Sequence, residues 1–197
     1  NDLGKTAIVK RALAPIGNTF GNLYKFERVA FRKAFVAELY GGLDEGRYDI
    51  CFGTKNAKYD FKWFSLENDR FYAILQKDYP TDGEYFHING LNGTKFLMPG
   101  LGFDDDISAV FSENNVRPFV TPTYVDDPAI ISMVEHGLGI SMLSELIIKG
   151  RADAVKVLPI VPEVSRTLAL AVKEDKVLSL PLKRLVAITK EFAKNKK

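Results

Sequence analysis

Apolar residues come in short runs divided by turn formers, and their spacing alternates between that of strands and that of helices. Residues 6–13 (TAIVKRAL) are β-branched and apolar, which predicts a strand, and Pro15, Gly17 and Asn18 break it into a turn before a short helix. Val29 and Phe31 predict a second strand. Val36, Leu39, Tyr40 and Leu43 then recur at helical spacing until Gly46 supplies a stop. Residues 48–52 (YDICF) follow as a strand with an almost unbroken apolar run. Strand, helix, strand, helix, strand is the grammar of a parallel sheet with crossover helices.

Residues 63–75 carry a further apolar segment ending in a strand at 72–75, closed by the cluster Asp78, Pro80, Asp82 and Gly83, where a lobe boundary is expected. The pattern then restarts: a strand at 96–98, a glycine-rich turn, a helix through Ile107, Val110 and Phe111, and a strand at 119–121. Residues 126–145 (DDPAIISMVEHGLGISMLSE) are the densest in signals. Asp127 is placed to cap a helix opening on Pro128, because proline in the first turn loses no needed hydrogen bond. Ile130, Ile131 and Val134 give that helix an apolar face, and Gly137 suits a left-handed stop. Residues 138–143 read as a buried strand, and Ser144 as the cap of another helix through Leu146 and Ile147. Residues 168–172 (LALAV) predict a strand that returns to the first lobe. Ser179 opens a last helix in which Leu182, Leu185, Val186 and Phe192 share a face.

A length of 197 residues accommodates two lobes of roughly 100 residues, each able to bury a core. Hydrophobic residues at 46% and charged residues at 26% are ordinary for a folded soluble domain and exclude disorder. The net charge of +2 is spread along the chain, too little to neutralise a run of phosphates, so these residues are not expected to bind DNA by themselves. The clustered lysines of residues 190–197 read as a solvated helix end. No apolar stretch reaches the roughly 18 residues of a membrane span, and no signal-peptide layout opens the chain, so a cytoplasmic protein is expected.

Candidate chemistry is sparse. His87 and His136 are far apart and have no cysteine or carboxylate at ligand spacing, so zinc and Ser-His chemistry are not expected; each histidine reads as structural or surface. No serine stands in a Gly-x-Ser-x-Gly setting, and no cofactor is implied. Cys51 reads as a buried structural thiol. Gly100-Leu101-Gly102 lacks the remaining residues of a phosphate loop and reads as a tight turn at the carboxyl end of a strand, where open α/β sheets hold ligands. Asp104, Asp105 and Asp106 read as acids favoured by a helix N-terminus rather than as metal ligands. Residues 15–19 (PIGNT) precede a helix, and two readings stand: an anion site built from free backbone N–H groups, or a simple cap by Asn18 or Thr19.

Three segments carry a resemblance to the effector-binding domain of LysR-type transcriptional regulators. Residues 39–52 (LYGGLDEGRYDICF) are similar to the family's Gly-Leu-x-x-Gly pattern followed by Asp in a strand. Residues 60–80 end in Tyr79-Pro80, where the family often has His-Pro. Residues 133–145 (MVEHGLGISMLSE) are similar to its Val-x-x-Gly-x-Gly-Ile-x-x-Leu-Pro signature. The resemblance implies an α/β fold of two Rossmann-like lobes joined by two crossover strands, a periplasmic-binding-protein-like (type 2) architecture. Lobe I would comprise residues 1–75 and 168–197, and lobe II residues 76–167, with crossings near 72–77 and 168–172. It implies a small-molecule effector in a cleft lined by Ala14, Pro15, Ile16, Asn18 and Thr19 of the first lobe and by Met98, Pro99, Gly100, Leu101, Val125, Asp126 and Asp127 of the second. Where the family often presents Gly-Thr this chain has Ala34-Phe35, and the interval from Ile16 to Val29 is short for the family's first helix.

The expectation is therefore a regulatory domain that makes and breaks no bond. It binds a small effector, with the turn at 15–19 hinting at a carboxylate or other anion, and it assembles as a homodimer or tetramer. It meets DNA only through a winged helix-turn-helix expected ahead of Asn1. The rival expectation is a solute-binding protein of a transport system with the same fold, and a third, a small α/β enzyme, finds no acid–base pair or nucleophile in the sequence.

Overall fold

The computed structural model describes residues 36–81, 83–100, 104–123, 125–150 and 153–194. The strands expected at 6–13 and around Val29 and Phe31 lie outside these residues. The chain divides into two units, passing from one to the other between Asn68 and Asp69 and back between Arg166 and Thr167. Both passages fall inside long strands, β2 (Phe61–Leu75) and β8 (Ser165–Lys173), and the first precedes the Asp78, Pro80, Gly83 cluster that ends β2.

In the unit that holds residues 36–68 and 167–194, α1 (Val36–Asp44) runs to the expected stop. Gly46 takes φ +74, and its N–H reaches the Leu43 carbonyl at 3.2 Å. Strand β1 (Cys51–Thr54) starts three residues later than the apolar run that predicted it and pairs antiparallel with β8, Cys51 opposite Ala171 and Thr54 opposite Leu168. Both faces of this pair are covered. Cys51 and Ala171 face a cluster of Tyr40, Leu43 and Phe61, while Leu170 and Val172 face Val186 of α5 (Leu180–Lys194) together with Ile50, Phe52 and Leu66. Two-sided burial explains why neither strand alternates in sequence. Tyr40 is fully buried; its ring lies edge-on to Tyr59, Phe61 and Trp63 at 4.8, 6.1 and 5.7 Å, and its hydroxyl donates to the Thr54 carbonyl.

In the unit Asp69–Arg166, β2 pairs antiparallel on one side with β6 (Ser141–Ser144) and on the other with β7 (Lys156–Val161); β7 also pairs parallel with the short β3 (Phe86–His87). A parallel pair, β4 (Lys95–Met98) and β5 (Phe119–Pro122), meets β6's lead-in through a bridge between Phe96 and Ile140. Helices α2 (Asp104–Glu113) and α3 (Asp127–Glu135) bury Ile107, Val110 and Phe111, and Ile130, Ile131 and Val134, in one core. The core residues on both helices are those the periodicity selects.

Several local expectations are corrected. An all-parallel sheet is replaced by mixed pairing, since β2 and β8 each meet antiparallel neighbours. The strand expected at 72–75 extends back to Phe61, because ladder hydrogen bonds do not depend on side chains and so run through the polar residues Glu67, Asn68, Asp69 and Arg70. Strand β6 begins only at Ser141, with Leu138 46% exposed. The cap of α3 is Asp126 rather than Asp127: its Oδ1 accepts the Ala129 N–H at 3.2 Å, and Asp127 is the first helical residue. At the other end the Gly137 N–H, at φ +71, donates to the Val134 carbonyl, and the Leu138 N–H donates to the Met133 carbonyl at 3.0 Å, the two hydrogen bonds of a Schellman stop. Asp126→Ala is therefore expected to lower unfolding free energy by about 1 kcal/mol in urea titrations. Asp127→Ala is expected to cost less, and equal losses would return the cap to Asp127.

Candidate effector site

In a parallel pair both strands leave the sheet at the same end, and at that end of β4 and β5 the chain places most of the second-lobe residues the resemblance selected. Met98 closes β4 and is buried, with Pro99 and Gly100 following it. Thr123, just past β5, donates its hydroxyl to the Met98 carbonyl at 2.7 Å and ties the two exits together. Val125 is 37% exposed, and Asp126 and Asp127 start α3. Carboxyl ends of parallel strands, beside the helix N-termini that follow them, are where α/β sheets bind ligands. Leu101 of this group lies outside the described residues, as do Ala14, Pro15, Ile16, Asn18 and Thr19 of the first lobe, and Ala34 and Phe35.

The electrostatics of this end are acidic. Asp126 spends its carboxylate on α3's own first turn, and α2 opens on Asp104, Asp105 and Asp106. The start of α3 therefore offers an anion no bare positive end. Asp106 accepts from Arg166 Nη1 at 3.3 Å, a partner that sequence reading missed. Arg166 of β8 is buried and donates through Nε and Nη2 to Asp69 Oδ2 at 2.9 and 2.8 Å; Asp69 is itself 1% exposed. The other Asp69 oxygen accepts the Leu146 N–H at 3.2 Å, so α4 (Glu145–Ile148) is capped by Asp69 and not by the side chain of Ser144, as the sequence had predicted. The signal available in the sequence was one acid and one arginine, each next to a strand's most apolar stretch.

The remaining polar candidates play local roles. His87 Nδ1 accepts the Asn89 N–H at 3.3 Å and caps a 3-10 turn (Ile88–Leu91), and His136 Nδ1 lies 2.8 Å from the Ser132 carbonyl at the end of α3. Among the described residues no group of three His, Cys, Asp or Glu could hold a metal. Burial pushes the Cys51 thiol up to about 12, leaving it protonated and inert at neutral pH. A separate hollow of about 280 Å³ lies at the amino end of β4, lined by Gln76, Tyr79, Thr94, Lys95, Gly137, Gly139 and Ile140. It is at the opposite end of the strand from the ligand-holding position of this fold type.

Two α/β units linked by two strands have the type 2 periplasmic-binding-protein-like architecture. The chain belongs to the LysR substrate binding domain family, whose model matches residues 6–194, and it is a ligand-sensing regulatory domain of that family. Among solved structures it is similar to the CcmR regulatory domain of Synechocystis PCC6803 in complex with 2-PG, at 18% identity and TM-score 0.78, covering 96% of this chain and 94% of that one. The effector binding domain of QuiR in complex with shikimate matches at 15% identity and TM-score 0.78, over 96% and 93% of the two chains. Full-length BenM matches at 19% identity and TM-score 0.78, with 96% of this chain covering 65% of that chain. No curated protein matches the sequence. No helix among the described residues is long and apolar enough to cross a membrane.

Proposed function

We propose that the domain senses a small organic effector held at the carboxyl ends of β4 and β5 by Met98, Pro99, Gly100, Leu101, Val125, Asp126 and Asp127, with Ala14, Pro15, Ile16, Asn18 and Thr19 supplied by the first lobe, residues 1–75 and 168–197. The observation that carries this reading is the tied pair of strand exits, Thr123 to Met98, in a chain matched to the family over residues 6–194. Residues 15–19, read in the sequence as a turn ahead of a helix, are the part of the chain expected to meet any anionic group of the effector. The domain transforms nothing. Effector occupancy favours one arrangement of a cytoplasmic homodimer or tetramer, and so shifts how DNA-binding segments outside this chain sit on an operator. The solute-carrier reading is not favoured, because the matched family is the ligand domain of regulators.

A ligand bound only by the native state stabilises it by about 2.7 kcal/mol at a hundred times its Kd. A panel of small carboxylates, sugar acids and phosphorylated acids, including shikimate, is therefore expected to contain a member that raises Tm by several degrees. Gly100→Trp, which fills the β4 exit, is expected to abolish that shift. A panel in which nothing shifts Tm, or a shift that survives Gly100→Trp, counts against the site.

A further inference from the structure

One guanidinium, that of Arg166, joins four elements of the unit Asp69–Arg166. It sits on β8 at the passage between units and donates twice to Asp69 of β2, which flanks the other passage. It also donates to Ser144 of β6 and to Asp106 of α2, both at 3.3 Å, and it lies 5.7 Å from the Phe71 ring centroid. The side chains of Arg166, Asp69 and Asp106 are 6%, 0% and 12% exposed, so these bonds are shielded from competing water. The planar fork of arginine fixes direction as well as distance, and a lysine cannot hold three acceptors in one plane.

Helix α2 begins at Asp104, three residues after Leu101, and Asp106 stands in its first turn. We propose that Arg166 is a positioning residue of the effector site: through Asp106 it holds the first turn of α2, the helix that packs on β4 through Phe111 and Phe96, in register with the two strands that pass between the units. This rests on reading the β4 exit as the effector site. An effector that moved the α2 turn would load the Arg166–Asp106 bond, while the shorter bonds to Asp69 kept the guanidinium fixed to β2. The bond to Asp106 is thus the adjustable arm of the network, and the pair with Asp69 its anchor.

Hydrogen exchange of the full chain without ligand tests this, peptide by peptide. Asp106→Asn keeps the size of the side chain and removes its charge. It is expected to raise exchange at least threefold in α2 and also in the β8 amides around Arg166, with the α5 amides unchanged. Asp106→Glu, which restores a carboxylate, is expected to bring both regions back toward the parent. A rise confined to α2, a uniform rise across the whole chain, or no rise at all overturns the proposal. An effector panel with no hit counts against the sensing reading and leaves this exchange result standing, so the two failures are distinguishable.

Discussion

Replacing Arg166 by leucine is expected to lower the unfolding free energy by about 3–5 kcal/mol, the cost of stranding a buried charge. The Asp69 carboxylate, with no side-chain exposure, loses both guanidinium bonds and keeps the Leu146 N–H. Unpaired carboxylates in such surroundings are expensive because water cannot replace the lost donors. For a domain of this size, about 2–4 °C per kcal/mol makes the shift in Tm about 6–20 °C. The double variant Asp69→Leu/Arg166→Leu is expected to be markedly less destabilised than the sum of the two single changes, since the Asp69 charge is then no longer stranded, while Asp106 loses Arg166 equally in the Arg166→Leu and the double variant. Urea titration of the four proteins measures this directly. Additive losses, or a loss below about 1 kcal/mol for Arg166→Leu, would mean that the pair is not the anchor described above.

Phe96→Ala is expected to cost about 3–5 kcal/mol, as deletions of buried aromatic rings do. Phe96 is fully buried in β4, its neighbour Leu97 donates its N–H to the Ile140 carbonyl at 2.8 Å, and its ring stands edge-on to Phe111 of α2 at 5.0 Å. The cavity would open between the strand that carries the candidate site and the helix that follows it, so exchange in α2 is expected to rise along with the global loss. Phe119, across the parallel pair on β5, is 70% exposed, and Phe119→Ala is expected to stay within about 0.5 kcal/mol. Comparable losses at the two positions would contradict the packing, whatever the absolute values.

That contrast marks the limit of local reading. Both phenylalanines lie in strands the sequence predicts, and nothing in their flanks separates a core ring from an exposed one. Asp126 and Asp127 pose the same problem at one residue's resolution: either can cap α3 by composition, and the backbone at Asp126, φ −79 and ψ 169, decides it. For the candidate site, the residues at the exits of β4 and β5 were legible through resemblance and through the strand–turn–helix pattern. The Asp69–Arg166–Asp106 network beside them was not.

What the sequence determined by itself is what short stretches of chain can encode. The glycine stops at Gly46 and Gly137, the apolar faces of α1, α2 and α3, the apolar runs of β1 and β8, and the family's signature at residues 133–145 are all set by neighbours a few positions apart. Only the tertiary structure decided which strands are antiparallel, that β2 continues through a polar centre, and that Asp69 caps a helix seventy-seven residues away while meeting an arginine ninety-seven residues away. Pairing partners are chosen by which surfaces bury each other, a property of the assembled core. A charged residue in a strand shows its role only once its counter-charge has been brought to it.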